Sequence, residues 1–367
     1  MTAARRDTLG SLEIGRFLAA STVLLTHFCA DTARYGSGPA ANFFAALNPP
    51  APLAVQYFFV LSGFVMMTAH RGDFGTFSAV WHFWWRRACR VYPVYWLGFG
   101  LMSYYLYPAL TPHLAFLMVS LAPVSVVEFV SPAWTLRFEM AFYIAFGLCL
   151  LPYVGRVLLA LWIFAVFWLW RPAALSSFLL FPPTQLLKYV AAHFAPLFFA
   201  PFEIFFFMGL AAGAIRLPGT KSGIAAICAG IAALATAGPL YQWGYTYGGP
   251  LTPAFTGCGI GLVILGFATL ERSGALRLSG WARSLGAMSY PLYILHMPLM
   301  VYADGWFWGH VHLHGAALFA FGAAYLGGIY LICAAVAFLF DRPLQKTLRR
   351  IKIFPGGRLR AGFGTTG

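Results

Sequence analysis

The chain has 367 residues, of which 60% are hydrophobic, 18% aromatic and only 9% charged, and its mean hydropathy is +0.75. About a quarter of a soluble domain is charged, so a water-soluble globule is excluded, and the long continuous apolar runs lack the alternation of a membrane β-barrel. The net charge of +14, from 24 basic and 10 acidic residues, lies largely between apolar segments and in the tail. There it orients a chain in a bilayer and offers no surface for nucleic acid.

Ten apolar segments can be marked, at 10–29, 52–69, 90–107, 133–152, 156–170, 197–215, 223–240, 253–270, 284–304 and 316–340. The basic residues then gather on one side: Arg5 and Arg6, the Arg71-to-Arg90 loop, Arg156, Arg216 with Lys221, the Glu271–Arg283 loop, and everything from Arg342 onward. The positive-inside rule makes that side cytoplasmic, with both termini inside. The expected fold is all-α, a polytopic integral membrane bundle of about ten transmembrane helices. A membrane domain covers 1–345, and a basic cytosolic tail over 346–367 can touch anionic lipid. The first segment is too long for a cleavable signal and is expected to remain as a span.

Two stretches resist this count. Residues 112–130 are interrupted by Pro112, Pro123 and Glu128, and counting them as a span inverts every later loop. They are expected as an interfacial or re-entrant piece on the outer side. Residues 171–196, broken by Pro172, Pro182 and Pro183, are expected as a second outer elaboration. The six cysteines lie within or at the ends of apolar stretches, and no metal site or disulfide framework is expected. The alternation His310, His312, His314 lacks a Cys or carboxylate partner, so it too is not expected to hold metal.

The first segment carries Arg16 and His27. Eleven helical steps of about 100° bring both onto one stripe, roughly 16 Å apart along the axis. Ionisable groups within a membrane helix are costly and mostly face a polar interior, so this pair can hold a long ligand by its charged end with the reactive end at His27. The bland alternative is an interfacial histidine with no partner. Next come Arg87 and Arg90, three apart, projecting from one side of a helix that starts at the cytosolic face. Guanidinium forks suit phosphate oxygens; an ordinary positive-inside flank is the plain reading, and Arg16 can turn it into a basic pocket.

Glu139 enters the outer part of the fourth span at a depth expected to match His27. A carboxylate bonded to an imidazole fixes its tautomer and raises its basicity, as in general-base pairs. An Arg137–Glu139 ion pair is the competing assignment, disfavoured because residues two apart point in different directions. Glu203, in the sixth span, is a lesser candidate. In the ninth span Ser289, Tyr293 and His296 fall within about 60° of one another and form a polar stripe, with Pro291 and Pro298 loosening the backbone. Hydrogen bonding between helices is the plain reading of that stripe.

In order along nearly the whole chain, roughly 8–343, these residues resemble the membrane-bound acyltransferase family 3, the O-acyltransferases. Arg16-x10-His27 fits that family's Arg/Lys-x10-His signature, and Tyr57-Phe58-Phe59-Val60-Leu61-Ser62-Gly63-Phe64 resembles its second-span stretch. Arg87-Ala88-Cys89-Arg90 fits its Arg-x-x-Arg motif. Trp134-Thr135-Leu136-x-x-Glu139-x-x-Phe142-Tyr143 and Ser289-Tyr290-x-x-Tyr293-x-x-His296-x-Pro298 match two later blocks. Asp341-Arg342-Pro343 departs by placing Asp where the family usually has Glu, and a C-terminal SGNH-type hydrolase-like domain is absent from this sequence.

The resemblance implies ten spans in a bacterial-type inner membrane. It also implies transfer of an acyl group, often acetyl from acetyl-CoA, to a hydroxyl of a carbohydrate, a lipid-linked glycan or another envelope acceptor. Arg16, Arg87 and Arg90 are then expected to bind the phosphates of acyl-CoA. His27, assisted by Glu139, is the expected catalytic base, and Trp134, Ser289, Tyr293 and His296 are the expected substrate contacts. Direct transfer and an acyl-His27 relay both remain open, and no oligomeric state follows. A permease for an anionic or acylated solute is the competing class, disfavoured because no inverted repeat is visible.

Overall fold

Long apolar runs in which Leu, Ala, Phe and Met outnumber turn residues fold as helices, because a bilayer leaves backbone groups no other partner. The computed structural model describes residues 9–47, 49–105, 111–124, 130–169, 195–237, 251–307 and 315–351, and helix is the only regular secondary structure among them. In chain order the helices are α1 (Gly10–Tyr35), α2 (Gly38–Leu47), α3 (Ala51–His70), α4 (Phe77–Tyr105), α5 (Pro112–Val119), α6 (Ala133–Cys149) and α7 (Gly155–Leu169). They continue as α8 (Ala195–Phe198), α9 (Phe202–Ala214), α10 (Gly219–Ala237), α11 (Leu251–Arg272), α12 (Gly280–Phe307), α13 (Ala316–Ala335) and, after a π-helical turn at Val336–Asp341, α14 (Arg342–Leu348). The expected features at His310–His314, most of 171–196, Glu128 and the tail beyond 351 lie outside the described residues.

Six stretches are long and apolar enough to cross a membrane: Gly10–Tyr35, Ala51–His70, Pro196–Ala214, Gly219–Thr236, Pro253–Arg272 and Ala316–Leu348. The other four expected spans are helical as well, as α4, α6, α7 and α12. Two boundaries need correction. The Arg71-to-Arg90 stretch, expected as a loop, is helical from Phe77. Arginine is a good helix former and its charges do not break a helix, so Arg87 lies about 15 Å along α4 at 1.5 Å per residue. The final helix also runs to Leu348, three residues into the stretch expected as tail.

Glycines set the packing directions. At Gly63 on α3 a Cβ would strike the Phe206 carbonyl, and at Gly209 on α9 one would strike that of Val60; Gly213 faces Phe64 and Met67. The register advances in the same sense on both helices, so α3 and α9 are parallel and in near backbone contact. Small residues permit such approach between membrane helices. Gly257 against Phe205 and Met208, with Gly261 against Ala212, makes α11 parallel to α9. Gly223 with Gly266 and Gly230 with Gly259 make α10 antiparallel to α11.

α1 runs antiparallel to α3, with Thr26 Oγ1 donating to Pro49 O at 3.0 Å and Gly15 against the Tyr57 hydroxyl. It runs parallel to α12, with Gly10 against Ala282 and Glu13 against Gly286. Leu9 gives α1 no side-chain cap. Glu271 of α11 supplies one instead, accepting from Gly10 N at 2.6 Å, Ser11 N at 3.0 Å and Ser11 Oγ at 2.6 Å. A carboxylate on orphan N–H groups at the positive end of a helix is favourable twice over, and it fixes the helix that carries Arg16 and His27.

α5 has eight residues, about 12 Å of rise, too short to span. Its C-terminal carbonyls are taken up by side chains of α4 and α6. Tyr95 Oη donates to Met118 O at 2.8 Å, Trp96 Nε1 to Val119 O at 2.9 Å and Tyr92 Oη to Ser120 O at 2.7 Å. Arg137 donates to Leu117 O at 3.2 Å and also to Ala122 O. That buried guanidinium therefore clamps the α5 segment.

Candidate active site

α1, α3, α4, α6 and α12 line a cleft with about 760 Å³ of space between its atoms, open solvent in its mouth included. Arg16 reaches it from α1, and Arg87 and Arg90 from α4. Thr135, Glu139 and Tyr143, spaced by four on one face of α6, line another wall, and Ser289, Tyr290 and Tyr293 of α12 complete it. Three guanidiniums thus share the lining with one carboxylate, Glu139.

Each charged group is held. Arg16 Nη1 lies 3.1 Å from Glu13 Oε1, one turn earlier, both largely buried. Arg87 packs over the rings of Phe83 and Tyr143, each 5.5 Å from its guanidinium carbon. Its Nε is buried with no hydrogen-bond partner among the described residues. The Tyr143 hydroxyl donates to Glu139. Glu13, Glu139 and Asp341 all act electrostatically on Arg90. Asp341, whose carboxylate accepts from Gln345 Nε2 at 2.9 and 2.8 Å, thus carries the same charge as the family's usual glutamate into this cluster.

Beyond the cleft lies a second polar group. His27 Nδ1 is 2.9 Å from Val23 O and 3.2 Å from His296 Nε2; the two rings are 5.1 Å apart at 40°. His296 is completely buried. The cleft lining includes Phe58 and Tyr293, whose rings are 5.2 Å apart, and the Tyr293 ring lies 6.3 Å from that of His296. Tyr293 therefore stands between the arginine cleft and the histidine pair. Tyr293 is itself pinned. Thr135 Oγ1 commits its proton to Pro132 O at 2.8 Å, so Tyr293 Oη is the donor in the 2.8 Å contact between them.

The expected residues divide accordingly. Arg16, Arg87, Arg90, Glu139, Ser289 and Tyr293 come together in the cleft, and His27 joins His296 outside it. The anticipated Glu139–His27 bond is not among the contacts of either residue: Glu139 binds Tyr143 and its neighbours are arginines. Trp134, expected to contact substrate, packs against Phe138 and Phe202 at 6.0 and 5.4 Å, away from the cleft lining. Ser289 Oγ donates to Gly286 O at 2.6 Å, back along its own helix. Glu203 is buried with neither oxygen hydrogen-bonded among the described residues, and it does not line the cleft.

Four contributors are not among the site residues expected from the sequence: Glu13, and Tyr143, Tyr290 and Asp341, which stood there only as motif positions. Glu13 carries a usable signal, an opposite charge three residues before Arg16. Tyr143 also carries one, the spacing of four that continues the stripe of Thr135 and Glu139. Tyr290, whose hydroxyl donates to Val91 O at 2.6 Å across α12 and α4, stands within the Ser289–Pro298 block, as Asp341 does in Asp341-Arg342-Pro343.

The exopolysaccharide production protein ExoZ of Rhizobium meliloti (strain 1021) is 29% identical over 82% of this chain and 92% of its own length. No solved structure matches the chain. The acyltransferase domain of family 3 matches residues 9–338, which takes in every residue that lines the cleft and both imidazoles, and the chain therefore belongs to acyltransferase family 3 as a membrane O-acyltransferase.

Proposed function

We propose that the protein transfers an acyl group, acetyl above all, from acyl-CoA to a hydroxyl of an exported or envelope polysaccharide. The observation that carries this is the convergence of Arg16, Arg87 and Arg90 on one cleft, with the Arg87 Nε buried and lacking a partner. A buried donor left unmade is costly, and a phosphate oxygen of the donor satisfies it. The pantetheine arm then runs past Glu139 and under Tyr293 toward His27. His27 takes the proton of the acceptor hydroxyl as its oxygen attacks the thioester carbon; the C–S bond breaks and the CoA thiolate leaves, to be protonated in turn. Glu139 balances the arginines and orients Tyr143. The name of the relative at 29% identity supports a polysaccharide as acceptor.

Packing directions support ten crossings with both termini cytoplasmic. α9 is parallel to α3, so an odd number of crossings separates them. α4, α6 and α7 supply that number, and counting α5 would spoil it. The positive-inside rule then puts the basic termini and loops in the cytoplasm, which fits an arginine cleft that receives acyl-CoA from the side where it is made.

Membranes carrying the protein, given labelled acetyl-CoA, are expected to label a glycan whose mass rises by one acetyl group per site, and His27→Ala membranes are expected to label none. Wild-type labelling by His27→Ala overturns the assignment of the base.

A further inference from the structure

The carbonyl partners of His27 and His296 favour one arrangement of protons. Leu292 O, 3.0 Å from His296 Nδ1, can only accept, so His296 Nδ1 carries a proton. Val23 O, 2.9 Å from His27 Nδ1, likewise requires a proton on that nitrogen. The remaining contact, His27 Nδ1 to His296 Nε2 at 3.2 Å, then draws on that same hydrogen, shared between Val23 O and His296 Nε2 in a three-centre bond, with His296 Nε2 presenting its lone pair. A second proton there would place two hydrogens between the same nitrogens. His296 is thus neutral, and the free nitrogen of His27 is Nε2.

We propose that His296 is a positioning residue for acyl transfer: by accepting from His27 Nδ1–H it holds His27 with an unprotonated Nε2 toward the acceptor hydroxyl. The inference rests on His27 being the base in the reading above. The elements explain why this ring can do it. α1 and α12 run parallel, with Glu13 against Gly286 at one end of the seam, so His27 and His296 meet two to four turns farther along. Pro298 follows on α12, and His296 is fully buried, so its Nε2 has no water to turn to. A half-rotation of the His27 ring swaps Nδ1 for a carbon. It loses the bonds to both Val23 and His296 and leaves the buried nitrogen unpaired, a cost that falls on the wrong orientation alone.

When His27 accepts the hydroxyl proton on Nε2, its Nδ1–H becomes a charge-assisted donor and both bonds shorten and strengthen. His296 keeps its own proton on Nδ1 throughout. No carboxylate takes part, in contrast to the Glu139–His27 pair expected from depth alone. The proton on His27 is then readily passed to the departing thiolate.

The test uses the full-length protein in lipid nanodiscs with three variants, His296→Leu, His296→Gln and His27→Ala. Leucine fills the space without an acceptor; glutamine can place its carbonyl oxygen where Nε2 stood. In acetyl transfer from labelled acetyl-CoA, His296→Leu is expected to lower kcat about 10- to 100-fold, the range for partners that orient a working imidazole, with KM for acetyl-CoA unchanged. His296→Gln is expected to recover most of that loss. Nitrogen NMR of histidine-labelled protein, with His27 assigned by its disappearance in His27→Ala, is expected to show Nδ1 protonated and Nε2 bare in the wild type, and a mixture of tautomers in His296→Leu.

A wild-type His27 protonated on Nε2 overturns the proposal, as does His296→Leu with wild-type kcat, or His296→Gln as impaired as His296→Leu. If His296→Leu fails to fold, the wild-type spectrum decides. If the wild type transfers nothing from acetyl-CoA, the donor assignment falls, while the spectrum still decides whether His296 sets the tautomer.

Discussion

At the N-terminal end of the α1–α12 seam, Arg16 and Glu13 face a cleft that also holds Arg87, Arg90 and Glu139. At its C-terminal end, His27 meets His296, and among the described residues no carboxylate hydrogen-bonds to either. One helix thus carries a charged region and a neutral one, separated by Tyr293. The difference follows from what each has to hold. Guanidiniums kept apart by a few carboxylates leave donors spare for an anionic group. A base must be uncharged to accept a proton, and a neighbouring neutral ring keeps it so without adding a buried ion.

Breaking the neutral end is expected to have the largest effect. His27→Ala removes the only imidazole nitrogen free to accept a proton there, and transfer is expected to fall by about 10²- to 10⁴-fold, the usual worth of a general base. KM for acyl-CoA is expected to stay put, because the arginine cleft is untouched. Initial rates in nanodiscs across a range of acetyl-CoA concentrations check both statements.

Breaking the charged end is expected to show the opposite split. Arg87→Ala deletes charged hydrogen bonds worth about 1.5–3 kcal/mol, which raises KM for acyl-CoA roughly 10- to 100-fold and leaves kcat nearly constant. Arg87→Lys keeps a charge but loses the planar fork that packs between Phe83 and Tyr143, so intermediate values are expected. Equal losses of kcat in Arg87→Ala and His27→Ala would mean that the two regions act as one.

Glu139→Gln asks which end Glu139 serves. Glutamine still accepts from Tyr143 but removes the charge beside Arg90. With His27 already partnered by His296, kcat is expected to fall less than about tenfold, well short of the loss of a general base. A drop as deep as that of His27→Ala would restore the direct carboxylate–imidazole pair.

The structure bonds Glu139 to Tyr143 and His27 to His296 in place of that pair, and the reason is geometric. Counting residues from a span's start gives depth, and Glu139 and His27 do fall at comparable expected depths; it gives no rotation about the bundle axis, which decides neighbours. Arg16, Arg87 and Arg90 were legible because three cations in apolar segments have few places to go. The Ser289–His296 stripe was legible as a stripe, yet its two ends face different regions, since Tyr293 divides them. The start of α4 at Phe77 was hidden because basic residues read as loop when positive charge is the only criterion. The glycines that set which helices run parallel carry no polarity at all, so no search for chemistry would stop on Gly63 or Gly209.

The smallest expected effect concerns the divider itself. Tyr293→Phe keeps the ring against Phe58 and removes only the hydroxyl that donates to Thr135. Thr135 Oγ1 retains its bond to Pro132 O, so one neutral hydrogen bond of about 1 kcal/mol is lost and both kcat and KM are expected to remain within about threefold, since that energy is felt equally with and without substrate. Tyr293→Ala removes the ring and joins the two regions into one space. Water then reaches the His27–His296 pair, and hydrolysis of acetyl-CoA without an acceptor is expected to rise relative to transfer, measured as free thiol released per acetyl group found on glycan. If Tyr293→Phe is as uncoupled as Tyr293→Ala, the hydroxyl and not the ring keeps the two ends apart.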